Sequence, residues 1–599
     1  MTDREYDVVI VGGGPIGALL AQRLSAAGKD ILMLEAGRAS GLTWESYQSY
    51  VDHYYQSLIK IPNAPYPQNP NAGFPLATAD VANLAPGTPD LRGYTVEEGP
   101  LAFGSTYLRS LGGTSLHWLG TAPRMVPNDF LLQSKYGVGV DWPLSYADLE
   151  EWYGKAEWAM GVAGDKKDQA YFGITYPEGY DYPMERIPPS YSDQVIEKSV
   201  EGLTVEFGGE AYPVWVSHLP QARNSVPRPG YQPVGAVGAP HKGQRCEGNA
   251  SCIPICPVQA KYSALKTLAQ LDPKRVTLVT QAVASRLVIA ENGRIDGVVY
   301  KRYEDESVPA YTTATAKAKI YVIAAHAVEN AKLLLASGAA NSSDQVGRNL
   351  SDHPFFITWA LAPKSIGALR GPGQTSGIPS FRDGAFRKEF ASFRIDLGNW
   401  GWDLAEGGSP QGAFGQLVSQ GIYGRKLRAT LGDVVPRQVR IGFVIEQLAE
   451  ARNRVTINQQ YLDPIGEYRP VIRYDISDYT KLAMVSAMKV ANAVYHAMGI
   501  PDHDIRTHFD ANSAGAMSYK THDGTVIPLG YYGSGHHMGT HRMGGSRTDS
   551  VVNDMQRTWD HDNLYAVGCG SMPTTGSSNP TLTAAAMTLR SAEDILRQL

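Results

Sequence analysis

The chain opens with a pattern of apolar positions that is typical of a strand, a tight turn and a helix. Residues 6–11 are an apolar, β-branched run that leads directly into Gly12-Gly13-Gly14-Pro15-Ile16-Gly17. A second apolar run over residues 30–34 ends in Glu35. This order predicts the first strand, glycine turn, helix and second strand of a dinucleotide-binding fold.

Each polar or small residue in this unit has a predicted role. Gly12 permits the tight turn, Gly14 lets backbone N–H groups approach a pyrophosphate at the helix N-terminus, and Gly17 lets the helix pack closely on the strand. Glu35, about 20 residues after the glycines, is placed to bind a ribose 2′-hydroxyl and to repel a 2′-phosphate. The first unit of the chain therefore predicts dinucleotide binding.

Apolar patterns later in the chain predict more strands of this sheet, followed by elements of a second domain. Between residues 276 and 299, two alternating segments flank Glu291-Asn292-Gly293, which indicates a hairpin, and residues 320–326 predict a buried strand before a helix ending near Ser337. Further on, strands are predicted over 439–447 and 454–458, and a helix over 479–498. The dinucleotide domain thus resumes late in the chain, and a second, sheet-based domain follows it.

The predicted architecture is α/β, with a discontinuous Rossmann-like domain and an inserted sheet-based substrate domain. The first domain takes residues 1–354, with an excursion over 45–100 that reads as a lid or contact loop and a cysteine segment over 244–260. Residues 355–531 form the substrate domain. Residues 532–599 return to the first domain and carry the candidate catalytic groups. A chain of 599 residues is too long for one hydrophobic core, which agrees with two domains.

Composition narrows the classes of partner. The net charge is -5 with 19% charged residues and no basic stripe, so no nucleic-acid partner is expected. No run approaches 18 uninterrupted apolar residues and the N-terminus has no basic, cleavable leader, so neither an integral membrane protein nor an export signal is expected. Four cysteines suit a reducing compartment, and the prediction is a cytoplasmic location.

Three of the four cysteines are clustered. Cys246, Cys252 and Cys256 follow the spacing C-x5-C-x3-C and precede a proline. No nearby histidine or fourth cysteine completes a tetrahedral zinc site, whereas the spacing suits a cluster whose irons each bind one thiolate. The alternatives are three small buried thiols or a site that has lost its cluster. Cys569, far away in the sequence, is expected to be a core residue.

Several segments in order resemble the glucose-methanol-choline (GMC) family of flavoproteins over the whole chain. They are the N-terminal glycine turn, residues 109–118, residues 346–354, the block Gly535-His536-His537-Met538-Gly539-Thr540-His541-Arg542-Met543-Gly544, and residues 563–583. The resemblance implies FAD and oxidation of an alcohol. Within the family, the chain is similar to pyranose oxidases and to bacterial FAD-dependent sugar dehydrogenase catalytic subunits of the glucoside 3-dehydrogenase type.

Alcohol oxidation requires a base for the hydroxyl proton while a hydride leaves for flavin N5. The resemblance implies that His536 is that base and that Asn579 holds the substrate oxygen. His537 is the adjacent rival, and His541 is expected to be structural. The alternative for the histidines is that they only hydrogen-bond buried loops.

The resemblance also implies a set of flavin contacts. His117 aligns with a histidine that is covalently bound to flavin in pyranose oxidases, but Leu116 replaces the threonine before it, so a packing role beside the ring is expected. Val283 aligns with an adenine contact and has the alternative of an ordinary strand valine. Leu582 and Thr583, ahead of a helix expected over 584–598, are placed near the pyrimidine end of the flavin, where backbone N–H groups stabilise negative charge. The implied cofactor set is Gly12, Gly14, Gly17, Glu35, Arg109, Gly113, Thr114, His117, Trp118, Val283, Gly568, Leu582 and Thr583.

The cysteine segment resembles the 3Fe-4S site of bacterial sugar dehydrogenase subunits, except that Glu247 stands where those enzymes have a second cysteine. A cluster implies electron delivery to a protein acceptor, with a small signal-bearing subunit and cytochrome c as partners and a periplasmic location. The expected substrate is a pyranose or glucoside, oxidised at a secondary alcohol with C3 favoured. The alternatives are a pyranose or C-glycoside oxidase that releases hydrogen peroxide, and a flavin-bearing electron-transfer protein without alcohol chemistry.

Overall fold

A computed structural model gives the fold of the chain. It describes residues 5–39, 43, 45, 48, 94–103, 105, 107–116, 118–235, 244–246, 248, 256, 258–304, 310–399, 410–507 and 515–599. Most of the excursion predicted over 45–100 lies outside the described residues, as do His117 and Cys252. Within the described residues, no helix is long and apolar enough to cross a bilayer.

The first sheet has a parallel core, as the opening pattern predicts. Strand Glu5–Val11 runs into the glycine turn and helix Pro15–Ala26. The apolar strands are buried on both faces, which is the usual condition of parallel strands. The order across this core is Val276–Val279, Ile31–Leu34, Glu5–Val11, Tyr311–Ile323 and Leu564–Ala566. The predicted α/β, Rossmann-like fold is confirmed.

The same sheet has an antiparallel extension. Strand Tyr311–Ile323 is 13 residues long, and its N-terminal half pairs antiparallel with Ile295–Tyr303. That strand pairs in turn with Ala282–Ile289 through the turn predicted at residues 290–294, which is closed by a hydrogen bond from the Ala290 N–H to the Arg294 carbonyl. The predicted hairpin therefore forms, and it lies beside the parallel core.

The second sheet is antiparallel and contains the segment predicted for the substrate domain. Its strands, in spatial order, are Ile505–Thr507, Pro354–Leu361, Gln438–Ile445, Phe393–Gly398, Ser376–Ile378 and Ser217–His218, with Tyr532–Gly533 also paired to Pro354–Leu361. Two of these strands, Ser217–His218 and Tyr532–Gly533, lie outside the interval 355–531. The sheet therefore includes strands from before and after the predicted substrate domain. The domain boundaries stay a prediction.

Smaller sheets and further helices complete the described fold. The strands are Arg454–Thr456, Val471–Arg473 and Val96–Glu97 in one small sheet, Ala516–Lys520 and Val526–Gly530 in a hairpin, and Thr204–Phe207 and Glu210–Pro213 in another. The remaining helices are Leu132–Tyr136, Tyr146–Met160, Lys166–Gln169, Tyr191–Ser199, Ala264–Leu268, Ala327–Ser337, Pro410–Ser419, Gly424–Val434, Asp478–Ala497 and Pro580–Gln598.

The C-terminal helix, Pro580–Gln598, joins the two halves of the first domain and approaches the second sheet. It packs against Tyr146–Met160 and Pro15–Ala26. It begins at Pro580, with Asn579 as its N-cap, whereas the sequence pattern predicted a start at residue 584. Proline is favoured at the first helical position because its missing N–H needs no partner there. Leu582 and Thr583 therefore lie inside the first turn of this helix and not ahead of it.

Candidate active site

The glycine turn is shaped for close backbone contact. Gly12 has φ +108°, and a Cβ there would lie 2.5 Å from the Ala324 carbonyl oxygen. A Cβ on Gly17 would lie 2.0 Å from the Gly12 carbonyl oxygen, so helix and strand meet at van der Waals distance. Around Gly14, by contrast, no described atom lies within 4 Å of a Cβ position. The turn thus leaves open the position where a pyrophosphate would approach the helix N-terminus.

Glu35 lies against this turn. Its carboxylate is buried and accepts hydrogen bonds from the Gly13 and Gly37 backbone N–H groups, both at 2.7 Å. Each carboxylate oxygen has a second lone pair, so these bonds leave acceptor capacity for a ribose hydroxyl. Glu35 is therefore positioned as the sequence pattern predicts, although its contact with FAD stays a prediction.

The segment that begins at Arg109 packs on the other side of the turn. The Gly112 N–H donates to the Gly13 carbonyl at 3.1 Å, and the Leu111 N–H donates to the Arg38 carbonyl at 3.3 Å. Arg109 and Ser110 are buried, yet Arg109 Nη1 and Ser110 Oγ have no hydrogen-bond partner among the described residues. Buried polar groups in folded proteins are normally satisfied. Two orphaned polar atoms beside the dinucleotide turn fit a site that binds a polar cofactor such as FAD.

Gly113, Thr114 and Trp118 follow in the same segment. Gly113 lies near Gly14, since a Cβ on Gly113 would be 3.5 Å from the Gly14 Cα. Thr114 Oγ1 accepts a hydrogen bond from the Leu108 N–H at 3.3 Å, and the Trp118 indole donates to the Tyr262 carbonyl at 2.8 Å. The structure thus brings Gly113 to the glycine turn, the flavin contacts of Thr114 and Trp118 stay predictions, and His117 lies outside the described residues.

We expect FAD to be noncovalently bound. Leu116 ends the short 3-10 helix Gly113–Leu116 and packs against the hydrophobic core, where pyranose oxidases carry a threonine. Acid precipitation should therefore release FAD into the supernatant, and His117→Ala should leave that release unchanged. Yellow fluorescence that stays with the wild-type polypeptide and disappears in His117→Ala would contradict this expectation.

Val283 and Gly568 lie in two parts of the first domain. Val283 is buried in a small cluster with Tyr303 and Ile465. The residue before it, Ala282, donates its backbone N–H to the Glu35 carbonyl. Gly568 has φ +97°, and its Cβ position is 3.8 Å from the Ile16 side chain in the first helix. Both residues therefore border the dinucleotide unit, and their contacts with FAD stay predictions.

Leu582 and Thr583 are fully buried at the start of the C-terminal helix. Thr583 Oγ1 lies 2.9 Å from the Tyr153 hydroxyl, which accounts for its polar group. The helix has no side-chain hydrogen bond capping its N-terminus. Its first N–H groups and dipole therefore favour negative charge at that end.

His536 and Asn579 meet where this helix approaches the second sheet. Asn579 Nδ2 lies 3.2 Å from His536 Nε2, and both side chains are half-buried. His536 follows the edge strand Tyr532–Gly533, while Asn579 stands at the N-cap position of the C-terminal helix. The structure thus brings together two residues 43 positions apart and joins them by a direct hydrogen bond.

Asp352 organises the histidine side of the pair. Its Oδ1 accepts from the backbone N–H groups of His536 at 2.9 Å and His353 at 2.7 Å, and its Oδ2 accepts from Ser105 Oγ at 2.6 Å. As a result, His353 Nδ1 lies 2.9 Å from His536 Nδ1. His353 lies within the segment 346–354 that supports the family resemblance, but the sequence analysis gave it no role.

The rival histidines are engaged elsewhere. His537 is buried, with Nδ1 2.9 Å from His326 Nε2 and Nε2 2.7 Å from Ser105 Oγ, so both of its nitrogens already have partners. His541 is buried, and its Nε2 lies 3.1 Å from Asn330 Nδ2. His536 is half-buried, whereas His537 is only 2% and His541 0% exposed, so the geometry favours His536 as the residue that can meet a substrate.

Electrostatics keep the candidate base uncharged. Burial lowers the pKa of His536 well below its ordinary value, and the neighbouring His353 and the Arg394 guanidinium lower it further. Burial also lowers the pKa of His353 to about 3. Both imidazoles are therefore neutral near pH 7, and a neutral imidazole can accept a proton.

Two of the three clustered cysteines lie in described parts of the chain. The Cys246 N–H donates to the Asn224 carbonyl at 2.9 Å, and the Asn224 N–H donates to the Ala260 carbonyl at 2.8 Å. Cys256 lies four residues before Ala260 in the chain. The segments that carry Cys246 and Cys256 therefore both pair with the backbone of Asn224 or run into a residue that does. Cys569 is remote from them and packs with the core, and burial raises its thiol pKa to about 12.

Comparison with known proteins places this geometry in a family. Residues 219–355 and 449–588 match GMC oxidoreductase domains, and residues 10–61 match an NAD(P)-binding Rossmann-like domain. The chain is 31% identical to the fructose dehydrogenase large subunit of Gluconobacter japonicus, over 99% of this chain and 98% of that protein. It is 24% identical to the C-glycoside 3-oxidase of Microbacterium trichothecenolyticum, over 99% and 97%.

A solved structure shows the same fold. Pyridoxine 4-oxidase from Mesorbium loti aligns with a TM-score of 0.58 at 17% sequence identity, covering 98% of this chain and 99% of that one. Fold, glycine turn and full-length similarity agree with one another. The chain therefore belongs to the GMC oxidoreductase family and is an FAD-dependent oxidoreductase that acts on CH–OH donors.

Proposed function

We propose that the protein oxidises a secondary alcohol of a pyranose or glucoside, with C3 as the favoured position and a 3-keto sugar as the product. Support comes from the pair His536 and Asn579, which presents a neutral imidazole nitrogen and an amide nitrogen 3.2 Å apart. The names of two relatives, a fructose dehydrogenase subunit and a C-glycoside 3-oxidase, support a carbohydrate substrate. The second name also supports C3.

In this proposal, FAD held at the glycine turn would supply the acceptor for the hydride of the carbinol carbon. His536 Nε2 takes the hydroxyl proton, and Asn579 Nδ2 donates to the same oxygen as negative charge develops on it. The alcohol thereby loses one proton and one hydride and becomes a ketone. Because His536 is neutral near pH 7, it needs no prior deprotonation.

We also propose that Cys246, Cys252 and Cys256 each bind one iron of a 3Fe-4S cluster. A cluster held by three thiolates is anionic, and burying an anion requires nearby compensating charge. Three cations are buried near the cysteine segments: Arg223, Lys261 and Lys266 are each no more than 6% exposed. Their charge fits an anionic group in this place better than three neutral thiols.

Hydrogen bonds link Lys266 to the Cys256 segment, and Arg223 precedes Asn224, whose carbonyl accepts from the Cys246 N–H at 2.9 Å. Lys266 Nζ donates to the Gln259 carbonyl at 2.5 Å, while the Gln259 N–H donates to the Cys256 carbonyl at 3.0 Å. Arg223 donates to the Leu119 and Gly373 carbonyls but leaves Nη2 without a partner among the described residues. One alcohol oxidation yields two electrons, and the cluster would pass them singly to a protein acceptor.

A protein acceptor implies further partners. The relative from Gluconobacter japonicus is named a large subunit, which supports association with other subunits. We propose a small signal-bearing subunit and a cytochrome c acceptor, and a periplasmic location when such a subunit carries the chain. A cytoplasmic location is expected if the chain acts without that subunit.

A substrate panel followed by stopped-flow bleaching of the flavin tests the carbohydrate proposal. Glucose and glucosides should reduce the flavin far faster than choline, short alkyl alcohols or benzyl alcohols. As a matched pair, 2-deoxyglucose should remain a substrate while 3-deoxyglucose, which lacks the attacked hydroxyl, should not. Faster flavin bleaching by a nonsugar alcohol than by any sugar would contradict the proposal. Bleaching by 3-deoxyglucose would show that the oxidised position is not C3.

The second candidate is an oxidase, favoured by the name of the C-glycoside 3-oxidase relative. Hydrogen peroxide formed in air during sugar turnover distinguishes the two. A dehydrogenase should release little peroxide and should reduce a one-electron acceptor quickly.

A further inference from the structure

We propose that Arg394 is a positioning residue that sets the orientation of the Asn579 amide and thereby keeps His536 Nε2 unprotonated, as the basic nitrogen of the ring. The proposal rests on the assignment of His536 and Asn579 to alcohol oxidation. It concerns a residue of the second sheet that the sequence analysis did not select. It follows from the directions of the hydrogen bonds around the pair.

Arg394 is fully buried on strand Phe393–Gly398 of the second sheet. Its Nε and Nη2 donate to the two oxygens of Asp396 at 2.7 and 3.0 Å. Residues two apart on a strand face the same side, so this ion pair forms within the strand. The guanidinium is therefore held rigidly before it reaches the active site.

The other donors of Arg394 point to the loop before the C-terminal helix. Nη1 donates to the Ser577 carbonyl at 3.2 Å, and Nη2 donates to Asn579 Oδ1 at 2.8 Å. A guanidinium has only donors, so the amide atom that faces it must be the oxygen. This contact assigns the amide orientation, which is otherwise ambiguous for asparagine.

With Oδ1 held by Arg394, the amide nitrogen of Asn579 faces His536 Nε2 at 3.2 Å. An amide N–H can only donate, so His536 Nε2 must present its lone pair. In a neutral imidazole the proton is then on Nδ1. Arg394 therefore selects, through Asn579, the tautomer in which the basic nitrogen faces Asn579.

The opposite end of the network leads to the same tautomer. His353 Nε2 lies 3.0 Å from the Gly576 carbonyl, which can only accept, so Nε2 carries the proton of that ring. Neutral His353 then accepts at Nδ1 from His536 Nδ1, 2.9 Å away. The Arg394 guanidinium at one end can only donate, and the Gly576 carbonyl at the other end can only accept. Together they fix which atom donates in each hydrogen bond between them.

The direction matters when a substrate arrives. A hydroxyl that displaces the Asn579–His536 hydrogen bond can donate to His536 Nε2 and accept from Asn579 Nδ2. If the amide were turned over, its oxygen would face His536 and would favour a proton on Nε2. The base would then be blocked, and the developing alkoxide would meet a carbonyl oxygen.

The test measures His536 with and without Arg394 in the complete FAD-loaded protein. Arg394→Lys keeps the charge but cannot hold Asp396, Ser577 and Asn579 together. Arg124→Lys is the matched control, because Arg124 is a buried arginine whose guanidinium pairs with Glu157 and does not contact Asn579. Two readouts are used: the absorbance of oxidised flavin against pH without sugar, and the rate of flavin bleaching with sugar.

Arg394→Lys should raise the apparent pKa in the flavin titration, because a carbonyl oxygen facing His536 stabilises the protonated ring. The charged and titratable groups around that ring are His353, His537, Asp352 and Arg394. The bleaching rate should fall about 100-fold, the scale of losing a well-oriented catalytic group. Arg124→Lys should change neither readout by more than about threefold, well below that scale.

An unchanged titration overturns the proposal, as does an equal change in Arg124→Lys. If Arg394→Lys does not fold, the double variant Arg394→Gln, Asp396→Asn removes both charges and avoids an unpaired buried carboxylate. It should show the same upward shift of the pKa, and an unchanged pKa there also overturns the proposal. If no alcohol bleaches the wild-type flavin, the proposed function fails, while the titration, which needs no substrate, still decides the role of Arg394.

Discussion

His536→Ala is expected to keep FAD bound while slowing flavin reduction by a sugar on the order of 100- to 10,000-fold. The reason is that His536 Nε2 faces Asn579 at the one place in the described site where an alcohol oxygen could meet a neutral base and a donor together. Stopped-flow bleaching under anaerobic conditions measures the effect. The flavin absorbance spectrum shows whether FAD is still bound.

The matched control is His537→Ala, because His537 is the neighbouring residue but is buried and lies against His326 and Ser105 instead of Asn579. It should lower stability more than it lowers the bleaching rate. Bleaching of His536→Ala at the wild-type rate, or a large rate loss in His537→Ala alone, would refute the assignment.

The pH dependence provides a second check on the same group. The lowered pKa of His536 means that the wild-type rate should stay level as the pH falls through about 6.5, the ordinary histidine pKa. The rate should decline only at lower pH, where His536 gains a proton and stops acting as a base.

The second large effect is expected at the cysteines. If Cys246, Cys252 and Cys256 each bind one iron, purified protein should contain about three irons per chain and be paramagnetic when oxidised. Cys252→Ser should then leave sugar-driven flavin bleaching largely intact, because hydride transfer occurs at N5. Reduction of cytochrome c or another one-electron acceptor should fall sharply.

Cys569→Ser is the matched control, since Cys569 lies in the core and its thiol pKa is raised to about 12, which disfavours a metal-binding thiolate. Iron content and electron transfer to the acceptor should both survive that change. Iron-free protein from anaerobic preparations, together with rapid peroxide formation in air, would refute the cluster and support the oxidase.

Local patterns predicted much of the first domain. The apolar run over 6–11, the glycines and Glu35 are close in sequence, so their arrangement depends on short-range backbone geometry. The helix predicted over 479–498 is Asp478–Ala497 in the structure, and the strand predicted over 439–447 is Gln438–Ile445. The predicted start of the C-terminal helix, residue 584, lies four residues after the observed start, because Pro580 occupies the first helical position.

The partners of His536 were harder to foresee. His353 was part of a familiar segment, yet only the bonds to Asp352 bring its ring to His536. Arg394 carries one weak signal: it and Asp396 interrupt an otherwise apolar strand with opposite charges two positions apart. That pattern indicates an ion pair on one face of a strand, but it does not name Asn579 as a further partner.

The sequence by itself determined the dinucleotide unit and the family, because both depend on residue types at fixed spacings, and the family resemblance selected the two residues proposed for catalysis. Only the tertiary structure decided how the pair is oriented. Its contacts join Arg394, Asn579, His536 and His353, which come from separate strands and loops and meet only when the second sheet packs against the C-terminal helix. Hydrogen-bond direction is a property of such contacts between distant residues, and no local pattern encodes it.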